Sequence, residues 1–302
     1  MPIQEPRSTI DDSTAEHQFI ADSRPPRVAI KFGAMTDCGK VRSNNEDHFL
    51  VARLSKSMRV CKTSLPGEGE TQFSEEEGYL MVVADGMGGA EAGERASALA
   101  VGSIEGFVLN TLKWFLHLSG PDEHQLVTEL RQSLESADRT VIERARSNRA
   151  FYGMGTTLTM AFSVATDLFI VHAGDSRAYL FRDGELEQLT SDDTVVQVLV
   201  DAGVISPEDA KHHNRRHVVT NVIGGPGEGV SVEIQKLKLL DGDTVLYCTD
   251  GLTEPVDDHA IAEILHHHPD PEDACTRLVE LALSRGAPDN VTAVVVRYQV
   301  DR

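Results

Sequence analysis

Basic charge is in short supply in this 302-residue sequence: 28 lysines and arginines stand against 48 aspartates and glutamates, a formal net charge of −20. No basic run offsets that excess locally, so nucleic-acid phosphates are repelled and nucleic acid is excluded as a partner. Cysteine is scarce as well. Cys38, Cys61, Cys248 and Cys275 lie far apart, and no CxxC or Cys/His spacing suits a structural zinc. Reduced thiols in a cytoplasmic setting are the expectation. Residues 1–27 lack the apolar segment of a secretion signal, and no stretch approaches the length of a membrane span. Neither export nor membrane insertion is expected. The closely spaced ligands of an EF-hand loop are missing too, which disfavours an acidic calcium-binding structural protein.

What the chain does have is the profile of a globular protein, with 40% hydrophobic and 25% charged residues. The polar segment 1–27 cannot bury enough apolar surface to offset its ordering entropy and reads as a flexible tail. Residues 28–302 read as a single domain without internal repeats. Strands are expected at 28–37 and 47–53, and an acidic insertion at 55–78, with Pro66-Gly67 and Glu75-Glu76-Glu77, reads as a protruding hairpin or loop. Tyr79–Ala84 is a short continuous apolar run, the mark of a strand buried on both faces. Apolar residues recur at helical spacing over 91–117 and again from Leu126 to Val141. Three β-rich stretches follow (156–164, 168–172 and 177–181), the last closed by the hairpin signal Asp183-Gly184. Segment 194–225 is mixed and polar and reads as a flap, within which Ser206-Pro207 marks a helix start. Another strand is expected around 230–239, a buried one at 244–249, helices at 261–268 and 271–285, and a last strand at 291–298. Antiparallel strand clusters with helices inserted in pairs indicate an α+β fold, two sheets face to face with helices outside.

The chemistry lies in aspartates that each end an apolar strand. Asp85 follows Leu80–Ala84 and precedes Gly86; Asp250 follows Val245–Thr249 and precedes Gly251; Asp175 follows His172-Ala173-Gly174; Asp289 sits just before the final strand. One Asp-Gly is ordinary turn chemistry. Four such sites together with Glu46-Asp47 are not, because carboxylates gathered in low dielectric repel one another and raise each other's pKa unless a cation neutralises them. All-oxygen ligands suit Mg²⁺ or Mn²⁺, whereas zinc favours nearby histidine or cysteine. The carbonyl of Gly86 is a further oxygen donor.

Taken in order, Arg42-Ser43-Asn44-Asn45-Glu46-Asp47, Asp85-Gly86-Met87-Gly88-Gly89, Gly155-Thr156-Thr157, Gly174-Asp175-Ser176-Arg177, Thr249-Asp250-Gly251 and Asp289-Asn290-Val291-Thr292 resemble the metal-dependent protein phosphatase family PP2C, in its bacterial branch. The resemblance implies a four-layer α-β-β-α sandwich with a binuclear Mg²⁺ or Mn²⁺ centre at one end. It implies that Asp85 bridges the two ions, that Gly86, Asp250 and Asp289 complete the core, that Asp47 and Glu46 orient bound waters, and that Asp175 with Asp250 holds a third ion. Arg42 is implied as the phosphate ligand, since a guanidinium takes two oxygens at once. Met87-Gly88 stands where animal enzymes carry histidine, which leaves the leaving-group acid unassigned, and Asp193 stands where many relatives have histidine.

The implied activity is hydrolysis of phosphoserine and phosphothreonine on proteins by a hydroxide held between the two cations. The implied partners are phosphorylated targets of Ser/Thr kinases, met by a monomer. The alternative is a non-catalytic regulator of the same fold. His212, His213 and His217, with Arg215 and Arg216, belong to the flap, where a solvated loop is the simplest role.

Overall fold

The computed structural model describes residues 28–59, 71–111, 121–227 and 229–301. In chain order the strands and helices begin with β1 (Val28–Asp37), β2 (Asp47–Arg59), β3 (Thr71–Met87), α1 (Ala90–Asn110) and α2 (Pro121–Ser147). A meander follows: β4 (Gly155–Thr156), β5 (Leu158–Val164), β6 (Asp167–Ala173), β7 (Arg177–Arg182) and β8 (Glu185–Gln188). Two short helices, α3 (Val195–Asp201) and α4 (Pro207–Lys211), precede β9 (Ile223–Gly224), β10 (Glu233–Lys238) and β11 (Thr244–Cys248). The chain closes with α5 (Asp250–Thr253), α6 (Asp258–His267), α7 (Pro271–Ser284) and β12 (Val291–Val300).

Every strand pairing is antiparallel. One sheet runs β1-β12-β11-β7-β8; the other runs β10-β6-β5-β3-β4-β9, with β2 added on β3. The period of two in the central strands decides the layering. On β3, Met81 and Val83 face the space between the sheets and pack with Ile170, Tyr247, Val294 and Tyr298. Leu80 and Val82 point the other way, onto Ala96, Ile104, Leu130 and Leu134 of α1 and α2. Residues Leu246 and Cys248 of β11, with Ala293 and Val295 of β12, pack instead on Ile261, Leu265, Leu278 and Val279 of α6 and α7. Three apolar clusters thus separate four layers, α-β-β-α, and a strand buried on both faces shows no alternation in sequence because both of its faces are core.

The structure departs from the sequence reading at several boundaries. β2 runs to Arg59 rather than 53, and the described part of the 55–78 segment pairs as the hairpin that the sequence reading offered beside a loop, with Ser57 opposite Phe73 and a bulge between Ser55 and Ser57. The first amphipathic helix ends at Asn110, seven residues short of the 91–117 periodicity, and residues 112–120 lie outside the described ones. So does the 1–27 tail. The helix start at Ser206 is a full capping box in which the serine hydroxyl accepts from Asp209 N and the Asp209 carboxylate accepts from Ser206 N. Asp183 and Gly184 turn the β7–β8 hairpin with φ of 53° and 86°, as a two-residue loop of this twist requires.

Candidate metal centre and phosphate pocket

Because β2 and β3 run antiparallel, Asp47 at the first position of one lies directly opposite Asp85 near the end of the other. β11 stops two residues before Asp250, β12 begins two residues after Asp289, and β6 ends two residues before Asp175. All five aspartates therefore arrive at one end of the sandwich. Arg42, Glu46, Asp85, Gly86, Asp175, Asp250 and Asp289 line a single cavity of about 500 Å³. Asp47 does not line it; it is buried beneath the floor.

The acids are held by neutral donors, several of which the sequence reading did not single out. Thr249 and Thr292 hydroxyls both donate to Asp47 Oδ2, at 2.8 and 2.7 Å. Two donors on one oxygen fix the carboxyl plane, and Asp47 Oδ1, buried and without a hydrogen-bond partner, is left directed elsewhere. Asp85 N donates to Thr157 Oγ1 (3.0 Å) while its carbonyl accepts from Thr156 Oγ1 (2.7 Å) and Thr157 N (2.9 Å). Ser97 Oγ donates to the Glu46 carbonyl (2.6 Å), and the same carbonyl accepts from Gly86 N (3.2 Å). Asn290 is the principal omission of the sequence reading. Its Oδ1 accepts from Glu46 N, and its Nδ2 donates to the carbonyls of Cys38 (2.9 Å) and Asn44 (2.8 Å), so it clamps the loop that carries Arg42 and Glu46. Its sequence signal is its place in the Asp289-Asn290-Val291-Thr292 motif, which carried no role for it.

Electrostatics here are dominated by burial and like charge. Burial, reinforced by Asp47, Asp250 and Asp175, pushes Asp85 well above the ordinary aspartate value. Burial pushes Asp47 up to about 7 against the two threonine bonds, and burial with the Glu254 and Asp289 charges brings Asp250 to about 6. Asp175 is also raised well above its ordinary value by burial and by Asp250. Arg42 relieves part of this: its Nη2 donates to Asp289 Oδ2 at 2.6 Å, and its charge opposes the upward shift that burial imposes on Glu46. His217, in the 194–225 segment, lines the cavity and contacts the Glu254 carboxylate, bringing His217, Asp250 and Glu254 together. Burial and Arg216 hold the His217 imidazole below its ordinary value.

A stability prediction follows from the signs. The raised acids keep protons in the folded state that the unfolded chain has released above pH 3.8. Stability in chelator therefore falls as pH rises from about 4 through about 7. The melting temperature in EDTA is expected to drop by on the order of 5 °C between pH 5 and pH 8, and saturating Mn²⁺ is expected to flatten the dependence. A melting temperature in EDTA that rises over the same interval contradicts the assignment of these acids as mutually repelling.

Two features fit divalent cations. Asp47 Oδ1 and Asp250 Oδ1 are buried carboxylate oxygens with no hydrogen-bond partner, a costly state unless something else satisfies them. Apart from the His217 imidazole, the metal-ligating groups that line the cavity are carboxylates and the Gly86 backbone, an oxygen set suited to Mg²⁺ or Mn²⁺.

Comparison with known proteins points the same way. A family profile described as protein phosphatase 2C matches residues 62–284. The serine/threonine protein phosphatase PstP of Mycobacterium tuberculosis is 35% identical over 269 residues, which cover 89% of this chain and 45% of PstP, so the chain spans about half the length of that relative. The serine/threonine phosphatase Stp of Listeria monocytogenes is 30% identical over 261 residues, covering 86% of this chain and 93% of Stp. A crystal structure of the PstP catalytic domain in complex with two manganese ions superposes with a TM-score of 0.69 at 33% identity, covering 90% of this chain and all of that one.

Proposed function

Since the chain belongs to the protein phosphatase 2C family, we propose that it is a metal-dependent protein serine/threonine phosphatase that transfers the phosphoryl group of phosphoserine and phosphothreonine directly to water. The observation that carries this reading is the convergence of Asp85, Asp175, Asp250 and Asp289 on one cavity with Arg42 at its edge and two orphaned carboxylate oxygens beneath. A protein that only binds partners has no use for that arrangement, which is costly in the absence of cations.

Asp85, the Gly86 carbonyl, Asp250 and Asp289 would hold the two core ions, Asp47 and Glu46 would support them through water, and Asp175 with Asp250 would hold a third. When bound, such ions acidify water and neutralise the charge of a phosphoryl group. The chain's own residues do the rest. Arg42 presents a planar guanidinium at the cavity edge, able to take two phosphate oxygens in a fork that a lysine cannot reproduce. Asp47, locked at Oδ2 by Thr249 and Thr292, holds Oδ1 in a fixed direction, where it can accept a hydrogen bond or a proton without breaking either threonine bond. Asn290 and Ser97 hold Glu46 and the Arg42 loop against the metal-binding strands, so that phosphate and ion ligands keep their spacing. No nucleophilic side chain is required.

The purified chain is expected to hydrolyse p-nitrophenyl phosphate and phosphothreonine peptides with Mn²⁺ or Mg²⁺, to lose that activity in EDTA and to regain it when Mn²⁺ is added back. Hydrolysis that continues at an undiminished rate after exhaustive chelation rules the mechanism out.

A further inference from the structure

One surface beside the cavity carries a charge opposite to that of the chain as a whole. Over the whole sequence 28 basic residues face 48 acids, but from Arg139 to Gly153 the only acid is Glu143, against Arg139, Arg144, Arg146 and Arg149. All four arginines are exposed. Among the described residues no carboxylate pairs with any of them, so their charge is not neutralised locally. Part of this has a local cause. Arg144 and Arg146 lie in the last turn of α2 and complement its dipole, and the Arg144 guanidinium sits over the Phe151 ring, 5.6 Å from its centroid. Neither reason extends to Arg149 and Tyr152, which lie past the helix end. Tyr152 is 84% exposed, more than any other large hydrophobic side chain of the described residues. Arginine beside an exposed aromatic ring is the composition that protein interfaces favour.

The turn that presents these side chains is held at every step. Asn148 Oδ1 accepts from Ala150 N at 3.0 Å and the Asn148 carbonyl accepts from Phe151 N at 2.9 Å, closing a 3₁₀ turn over Arg149–Phe151. Tyr152 N then donates to the Arg149 carbonyl (3.3 Å) and Met154 N to the Phe151 carbonyl (3.1 Å). Side chains carried on a fixed turn lose less entropy when a partner binds. The turn is also anchored to the cavity wall. Gly155 pairs with Met87, a Cβ on Gly88 would lie 3.0 Å from Met154 Cα, and Met87 and Gly88 both line the cavity. The basic surface therefore lies just outside the Met87-Gly88 wall.

We propose that Arg146, Arg149 and Tyr152 form a docking surface for an acidic segment of the phosphoprotein substrate, a few residues along the chain from the phosphorylated one. The proposal rests on the phosphatase reading and narrows its substrate class. Charge complementarity selects an acidic segment, because the rest of a surface with net charge −20 repels one. Position selects the substrate itself: a polypeptide whose phosphoryl group enters the cavity has to leave across its rim, and this surface adjoins that rim on the Met87-Gly88 side.

The test uses the whole chain with saturating Mn²⁺ and matched phosphothreonine peptides. One set carries a block of glutamates about three to eight residues before or after the phosphothreonine, a reach of about 10–25 Å in an extended chain; the other carries glutamines there. For one of the two placements the acidic peptide is expected to show a kcat/KM about threefold to tenfold above its neutral match, through KM, and to lose that advantage in about 0.5 M NaCl. Arg146→Gln combined with Arg149→Gln is expected to abolish the advantage while kcat, the rate on p-nitrophenyl phosphate, Mn²⁺ affinity and the melting temperature stay at wild-type values. Arg149→Glu is expected to reverse it, and Tyr152→Ala to raise KM about threefold for both kinds of peptide. Equal kcat/KM for acidic and neutral peptides in the wild type overturns the docking assignment, and so does an advantage that survives the double substitution. Vesicles of phosphatidylcholine and phosphatidylserine that bind the wild type but not the double variant, with no preference among peptides, give the surface to a membrane and overturn it too. A chain that hydrolyses neither p-nitrophenyl phosphate nor any peptide overturns the phosphatase reading instead.

Discussion

Asp85→Asn is expected to lower kcat/KM towards p-nitrophenyl phosphate by on the order of 10³ or more while making the chelated protein more resistant to heat. Both effects have one cause. Asp85 is repelled by Asp47, Asp250, Asp175 and Asp289, on top of the cost of burying its charge. An amide of the same shape removes that repulsion, and each kcal/mol relieved raises the melting temperature by about 2 °C in a chain of this size. On the proposed reading the same substitution removes a negative charge from the set that would hold two cations, which are worth several kcal/mol in the transition state, and about 1.4 kcal/mol is tenfold in rate. Opposite signs in stability and activity identify a residue kept for chemistry against the interest of the fold. Loss of activity accompanied by loss of stability in EDTA would instead make Asp85 a structural residue, and full activity would remove it from the centre altogether.

The second large effect is steric. Gly251→Ala is expected to destabilise the protein by about 3 kcal/mol or more, read as a lower urea midpoint. A Cβ at Gly251 would lie 1.9 Å from the Asn290 carbonyl oxygen and 2.8 Å from its carbon. Both are backbone atoms of the segment that starts β12 and cannot rotate aside. The strain also falls on the site, because Gly251 adjoins Asp250 and Asn290 adjoins Asp289. Forcing these segments apart separates two carboxylates that share the cavity, so Mn²⁺ binding should weaken beyond what the stability loss explains. Gly102→Ala on exposed α1, where a Cβ meets nothing within 4 Å, provides the contrast: it should stabilise by about 0.5–1 kcal/mol through helix propensity alone. Equal destabilisation by the two changes would show that close approach at Gly251 is not what matters.

The layered fold was readable because its elements differ in period. The run from Leu80 to Ala84 has no alternation, which only a strand with core on both sides tolerates, and α1 and α2 repeat at helical spacing because one face alone meets a sheet. Boundaries were less legible. Hydrophobic periodicity says nothing of where a hairpin stops pairing, so the extension of β2 and β3 into the polar 55–78 segment came from backbone hydrogen bonds that leave little trace in residue type. The clamping roles of Asn290 and Ser97 were illegible for a related reason. A buried polar residue that holds a loop is, in sequence, indistinguishable from a turn former or a helix-surface serine.

By itself the sequence determined which acids reach the rim of the sandwich, since acids that each end a β-strand of Val, Leu and Ala have to be delivered to the rim of a sheet. Only the tertiary structure decided which of them meet. Asp47 faces Asp85 because β2 and β3 pair in one register, and Asp193 holds Gly174 and Asn221, 19 residues before it and 28 after, because the flap returns to its own root. Strand ends follow from local pattern. Distances between them depend on register and on contacts between residues far apart in the chain, which no local pattern encodes.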